Sequence, residues 1–122
     1  MNLNVGDFVY CIERLRFLDE QPAVFEITYL PYELYKDLND EQLLVLKFEY
    51  AKRLEIKKVV KQLKEFTAVL PEIKVQQALQ IGERTPVLQL EIISFFETGD
   101  ICEYSRVYYN QSRFKFLQNI QM

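Results

Sequence analysis

From Val87 to Tyr109 the sequence alternates between apolar and polar positions with a period of two. Leu88, Leu90, Ile92 and Phe96 fall on one side, with β-branched and aromatic residues dense on both sides. The pattern predicts two strands joined by a tight turn at Glu97-Thr98-Gly99-Asp100, with Gly99 free to take positive φ. On the return strand Ile101, Glu103, Ser105, Val107 and Tyr109 share one face. A two-residue loop would set position 94 opposite 103, 92 opposite 105 and 90 opposite 107. Ser94 and Glu103 then sit on an otherwise apolar face. A carboxylate there must be paired, protonated or reserved for a polar group that enters from outside. Glu103 is therefore the first candidate for chemistry.

The same alternation runs from Phe8 to Leu18. Phe8, Tyr10, Ile12, Arg14, Arg16 and Leu18 share one face, and Val9, Cys11, Glu13, Leu15 and Phe17 the other. Asp19-Glu20-Gln21-Pro22 predicts a turn, and Ala23 to Leu30 a returning strand. A three-residue loop pairs 18 with 22, 16 with 24 and 14 with 26, which places Glu26 beside Arg14, with Arg16 and Thr28 on the same face. Other loop lengths send Glu26 to the opposite face. A cross-strand ion pair at the surface is the plainer account of that arrangement.

Beyond Pro31 the alternation stops. Tyr32 to Leu38 reads as a short helix or turn. Asn39, followed by Asp40, Glu41 and Gln42, has the features of a helix N-terminus, and one or two helices follow to Leu54 with a break near Val45 to Lys47. Ile56 to Val69 mixes lysines with β-formers and is assigned to a strand mostly exposed on one face, its lysines a solvated surface. Pro71 and Glu72 open another helix, Ile73, Gln77, Ala78 and Ile81 give it helical spacing, and Gly82 is placed as its cap. Phe114 to Ile120 is assigned to a last edge strand. Strands joined mainly by hairpins imply an antiparallel sheet with packed helices, an α+β domain over residues 1–122.

Composition narrows the function more than the fold. The chain has 122 residues, 49% hydrophobic and 27% charged, with a net charge of −3. That balance offers no basic face for a nucleic-acid backbone, and no apolar run is long enough to span a membrane. There is no histidine. The commonest general base and the commonest metal ligand are thus missing, and Ser-His-Asp or Cys-His catalysis cannot be built from this chain. Cys11 and Cys102 lie in strand-like stretches and are expected as two buried thiols. No metal-ligand spacing occurs, and no cofactor is called for.

Five short stretches, in this order and spacing, carry a resemblance: Arg14-Leu15-Arg16; Glu26-Ile27-Thr28-Tyr29-Leu30-Pro31; Ala78-Leu79-Gln80-Ile81; Thr85-Pro86-Val87-Leu88; and Glu103-Tyr104-Ser105-Arg106-Val107-Tyr108-Tyr109. From about Val5 to Phe116 the chain resembles the UTRA domain, the effector-binding domain of HutC-type GntR transcriptional regulators. The resemblance implies a chorismate-lyase-like fold, a homodimer, and one pocket per subunit for a small anionic metabolite. It further implies that Arg14 and Arg16 hold the anionic group, that Glu26 and Glu103 accept hydrogen bonds from it, and that Tyr109 closes the pocket. DNA would be reached only through a winged helix-turn-helix domain absent from this chain, and the setting would be cytoplasmic, without a membrane. Where sugar-phosphate-sensing members carry a Ser-Leu-Tyr-like triplet, this chain has Leu46-Lys47-Phe48. Two hydroxyls are lost there, which favours a smaller or less polar anion. The alternatives are a dimerisation module with a vestigial pocket, and a lyase-like enzyme on the same fold.

Overall fold

The structure is a computed structural model that describes residues 9–35, 39, 41, 59–111 and 119. Its centre is a five-stranded sheet, antiparallel at every pairing, built from β1 (Val9–Leu18), β2 (Gln21–Pro31), β3 (Val59–Val69), β4 (Val87–Phe96) and β5 (Ile101–Asn110). The strand order across the sheet is β1-β2-β5-β4-β3. Helix α1 (Tyr32–Tyr35) follows β2, and α2 (Ile73–Leu79) precedes β4. The expected α+β class and hairpin-built sheet are thus present. The helices placed between Asn39 and Leu54, and the strand placed over Phe114 to Ile120, fall outside the described residues apart from isolated positions.

Each hairpin reaches its register through two offsets that cancel. Between β1 and β2 the turn has two residues, Asp19 and Glu20, both at positive φ (49° and 65°), with Leu18 opposite Gln21. That turn alone would put Glu26 on the wrong face. A register shift beside Ala23 restores the pairing of Arg16 with Val24 and Arg14 with Glu26. At the β4–β5 turn, Gly99 N–H donates to the Phe96 carbonyl and Phe96 N–H to the Asp100 carbonyl, each at 2.9 Å, and Gly99 has φ +91°. This is a three-residue turn with glycine in the left-handed position. A second shift, at Cys102, then sets Ser94 opposite Glu103. The expected registers of Arg14, Glu26, Ser94 and Glu103 hold, but neither expected loop length does. Ile101 also leaves the row assigned to it: it lies opposite Phe95, while Cys102 packs with Phe96 and Leu30.

The left-handed pair at the first turn yields a prediction. A side chain at positive φ costs about 1 kcal/mol or more, and glycine does not bear that cost. Glu20→Gly should raise the unfolding free energy by about 0.5–1 kcal/mol. A urea midpoint that falls instead would show that the turn is held by its side chains.

The sheet has two unlike faces. On one, α2 packs through Val75 and Leu79 onto Phe25, Ile27, Val87 and Tyr108. On the other, Val24, Leu90 and Val107 form one apolar cluster with Ala23, and Leu30, Tyr35, Val59, Phe96 and Cys102 form another. Several sequence assignments change here. Helix α2 buries Val75 and Leu79, while Ile73 stays 69% exposed. Its cap is Gln80, at φ 56° and ψ 49°, not Gly82. Strand β3 is exposed along nearly its whole length and on both faces, and it is an edge of the described sheet. Both cysteines are free thiols; Cys102 is buried, but Cys11, on the other edge, is exposed.

Candidate functional site

Side chains at every second strand position share a face. The pairings fix which ones meet. Arg14 lies opposite Glu26, and Glu26 opposite Val107. One step along, Arg16 lies opposite Val24, and Val24 opposite Tyr109. In the other direction Thr28 lies opposite Ser105, and then Glu103 opposite Ser94. All five residues singled out from sequence therefore occupy the face away from α2. Arg14, Arg16, Glu26 and Tyr109 gather there across three neighbouring strands, with Val24 between Arg16 and Tyr109. Glu103 stands apart, about 13 Å further along the strand direction and about 10 Å across from Arg14 on sheet spacings.

Their environments differ. Arg16 is exposed and Arg14 partly buried, whereas Glu26 and Glu103 are buried at 8% and 2% exposure. Tyr109 is half-buried. Burial raises its hydroxyl pKa, Glu26 adds to the rise, and Arg16 opposes it. That tyrosine thus senses both signs of charge on this face.

The Glu103 end is a buried polar row. Ser105 Oγ donates to Glu103 Oε1 at 2.9 Å, and Thr28 Oγ1 lies 2.9 Å from Ser105 Oγ. Ser94 Oγ accepts from Gln62 Nε2 at 3.1 Å. Sequence reading placed Ser94, Ser105 and Thr28 on this face but missed Gln62 and Tyr35. The Tyr35 hydroxyl donates to the Cys102 carbonyl at 3.0 Å. The alternation of β3 would have located Gln62; no sequence signal marks the contact of Tyr35.

The opposite face carries its own polar and aromatic set. Tyr104 donates to Glu91 at 2.9 Å, Gln89 donates to the same carboxylate at 3.0 Å, and Tyr104 stacks beside Tyr29. A separate open cavity of about 430 Å³ lies between β1 and α2, lined by Glu13, Leu15, Phe25, Lys74, Gln77 and Ala78 together with Arg14. Lys74 and Glu13 form an ion pair at its rim. Glu26, Glu103 and Tyr109 do not line that cavity. Among the described residues its charged lining groups are Arg14 and the paired Lys74 and Glu13. Among the described residues no cluster of metal-ligating side chains occurs.

The tyrosines make stability depend on alkaline pH. Tyr104 is pushed up to about 12, first by burial and then by its bond to Glu91, and burial also raises Tyr108 and Tyr109. A tyrosine held above its ordinary value near 10 contributes its full stability below about pH 10 and loses it as the pH climbs through the folded value. The urea midpoint should be level from pH 8 to 9.5 and fall between about pH 10 and 12, and Tyr104→Phe should flatten part of that fall. A midpoint that rises above pH 10 would contradict this account.

Comparison with known proteins places this geometry. The UTRA domain profile matches residues 1–115. The mannosyl-D-glycerate transport/metabolism system repressor MngR of Escherichia coli is 27% identical over 118 residues, 95% of this chain and 48% of that protein. The HTH-type transcriptional regulator GmuR of Bacillus subtilis is 30% identical over 97 residues, 80% of this chain and 41% of that protein. The chain thus spans about half the length of these relatives. A crystal structure of a GntR-family transcriptional regulator from Enterococcus faecalis superposes with a TM-score of 0.83 at 27% identity, covering 97% of this chain and 85% of that one. The chain belongs to the UTRA family, the effector-binding domain of GntR-type transcriptional regulators.

Proposed function

We propose that residues 1–122 act as the ligand-sensing and dimerisation domain of a HutC-type regulator, and that Arg14, Arg16, Glu26, Glu103 and Tyr109 bind a small anionic metabolite. The observation that carries this reading is the gathering of both arginines, Glu26 and Tyr109 on adjacent positions of one face. Guanidinium forks match carboxylate and phosphate oxygens bidentately. The buried Glu103 row lies too far from Arg14 for one small anion to touch both. The arrangement therefore suits an anion that carries hydroxyl or amine donors some way from its charge. The name of the MngR relative points in the same direction, to a sugar joined to a carboxylic acid. The Leu46-Lys47-Phe48 triplet gives no reason to require a phosphate.

The domain's output is a shift between arrangements of a homodimer, and the effector acts only through its preference for one of them. DNA is contacted through an attached winged helix-turn-helix, in the cytoplasm, and no step of catalysis is assigned to this chain. Among the described residues no helix is long and apolar enough to cross a membrane.

A thermal-shift screen of sugar phosphates, glycosidic carboxylates, amino acids and simple carboxylates tests the proposal. An effector at one hundred times its Kd should add about 2.7 kcal/mol, a shift of about 10 °C for a domain of this size. A panel in which no anion raises the Tm, against a chain that unfolds cooperatively, would count against an anion-sensing pocket.

A further inference from the structure

We propose that two copies of this chain join edge to edge through β3, antiparallel, with Leu63 on the two-fold axis and Lys61 of each copy facing Glu65 of the other. This rests on the dimerisation reading given above and names an interface for it.

Strand β3 ends the strand order, and among the described residues it pairs only with β4. Its outer edge therefore carries a row of backbone donors and acceptors that no described strand takes up. Every residue from Val60 to Ala68 is exposed. The other edge is better covered: Tyr10, Ile12 and Arg14 of β1 are partly buried, and Glu13 is tied to Lys74 of α2. A long exposed edge invites a further strand, and lysines along it restrict which strand can pair. Strand β3 carries Lys61 and Lys64 together with a carboxylate, Glu65.

These charges are unbalanced within one copy. Glu65 lies directly opposite Glu91, and like charges at that spacing repel. Glu91 accepts from Tyr104 and Gln89, but among the described residues no cation pairs with Glu65. Lys61 meets no carboxylate either. Its ammonium rests over the Phe95 ring, 5.6 Å from the centre, a contact that leaves the charge at the edge of the sheet.

A second copy supplies what each group lacks, in one register. An antiparallel pair of identical strands is symmetric about an axis normal to the sheet. Side chains of one face then meet the same face of the copy, and the central residue fixes every rung. A centre at Lys64 or at Glu65 sets that charge against itself. A centre at Gln62 sets Lys61 against Leu63 and Glu65 against Val59; a centre at Phe66 sets Glu65 against Thr67 and Lys64 against Ala68. A centre at Leu63 sets Lys61 opposite the partner's Glu65 at both symmetric places and Lys64 opposite the partner's Gln62. That register alone joins opposite charges. It also continues an apolar row: Tyr29, Tyr104, Ile93 and Leu63 lie opposite one another in turn across β2, β5, β4 and β3. Leu63 ends the row at 49% exposure, and the partner's Leu63 carries it into the second sheet. The two copies then share one sheet, with their Arg14–Glu26 faces on the same side.

Sedimentation equilibrium of the full chain tests the interface. Lys61→Glu and Glu65→Lys should each weaken self-association by about tenfold or more, because each sets like charges opposite one another at both symmetric places. An equimolar mixture of the two variants, and the double variant, should each dimerise within about threefold of wild type, because opposite charges face again. Recovery in the mixture also shows that each variant is folded. Lys64→Glu, opposite Gln62 in this register, should stay within about threefold of wild type. A wild-type dimer that neither single variant weakens leaves the dimerisation reading standing and overturns this interface. A mixture that fails to recover, or a loss in Lys64→Glu as large as in Lys61→Glu, overturns it as well. A wild-type chain that stays monomeric at every concentration takes down the dimerisation reading and the interface together.

Discussion

Phe96→Ala is expected to lower the unfolding free energy by about 3–5 kcal/mol. Phe96 is 1% exposed and packs with Leu30, Tyr35, Val59 and Cys102. Those neighbours come from β2, α1, β3 and β5, so the cluster ties the central strands to an edge and to the helix. Truncation removes most of a large side chain, and the walls cannot collapse to fill the gap. Tyr35 is held by its bond to Cys102, and the Phe96 backbone is fixed by both turn hydrogen bonds. With an entropy of unfolding of about 2 cal/mol/K per residue, the loss corresponds to a Tm lower by about 12–20 °C. Phe66→Ala is the matched control. Phe66 lies on β3 and is 52% exposed, so its truncation should change stability by about 0.5 kcal/mol or less. Similar costs at both positions, measured by urea unfolding, would mean that β3 is not the exposed edge described here.

The second large effect is on binding. Arg14→Ala should weaken any anion that raises the Tm by about 100-fold or more, because two charge-assisted hydrogen bonds of about 1.5–3 kcal/mol each are lost. Arg14→Lys should fall between, at about tenfold, since a lysine keeps the charge but not the planar fork. Arg14 lies opposite the buried Glu26, so each variant also needs its own unfolding curve. The result that matters is a loss of affinity in a chain that remains folded. Undiminished affinity in Arg14→Ala would remove the arginine pair from the site.

How far the sequence reached is clearest at the two hairpins. The pairings of Arg14 with Glu26 and of Ser94 with Glu103 were expected on assumed loop lengths, and they hold although both lengths differ, because a register shift in each hairpin offsets the difference. Alternation of apolar residues did not reveal the turns. A two-residue turn with a shift at Ala23 gives the same downstream register as a three-residue turn, and the bulge at Cys102 hides in the same way. The face of a residue was therefore legible while the path of the backbone to it was not. Helix α2 shows the opposite failing: Gly82 looked like a cap, yet Gln80 took the left-handed position two residues earlier. Strand β3 was expected to be mostly exposed on one face only, yet Leu63 and Phe66 are 49% and 52% exposed on opposite faces. The place of β3 at the end of the strand order accounts for the exposure of Leu63 and Phe66, and strand order is not written in local pattern.

Two surfaces compete for the effector, the face that carries Glu26 and Tyr109 and the cavity between β1 and α2, and the account depends on which one takes it. A titration with the best anion from the thermal-shift screen, followed by backbone amide NMR, separates them. The account predicts that the largest shifts fall on Arg14, Arg16, Glu26, Glu103, Ser105 and Tyr109, with Lys74, Gln77 and Ala78 of α2 nearly still. Shifts confined to Lys74, Gln77, Ala78 and Glu13 would place the ligand in the cavity between β1 and α2 and contradict it.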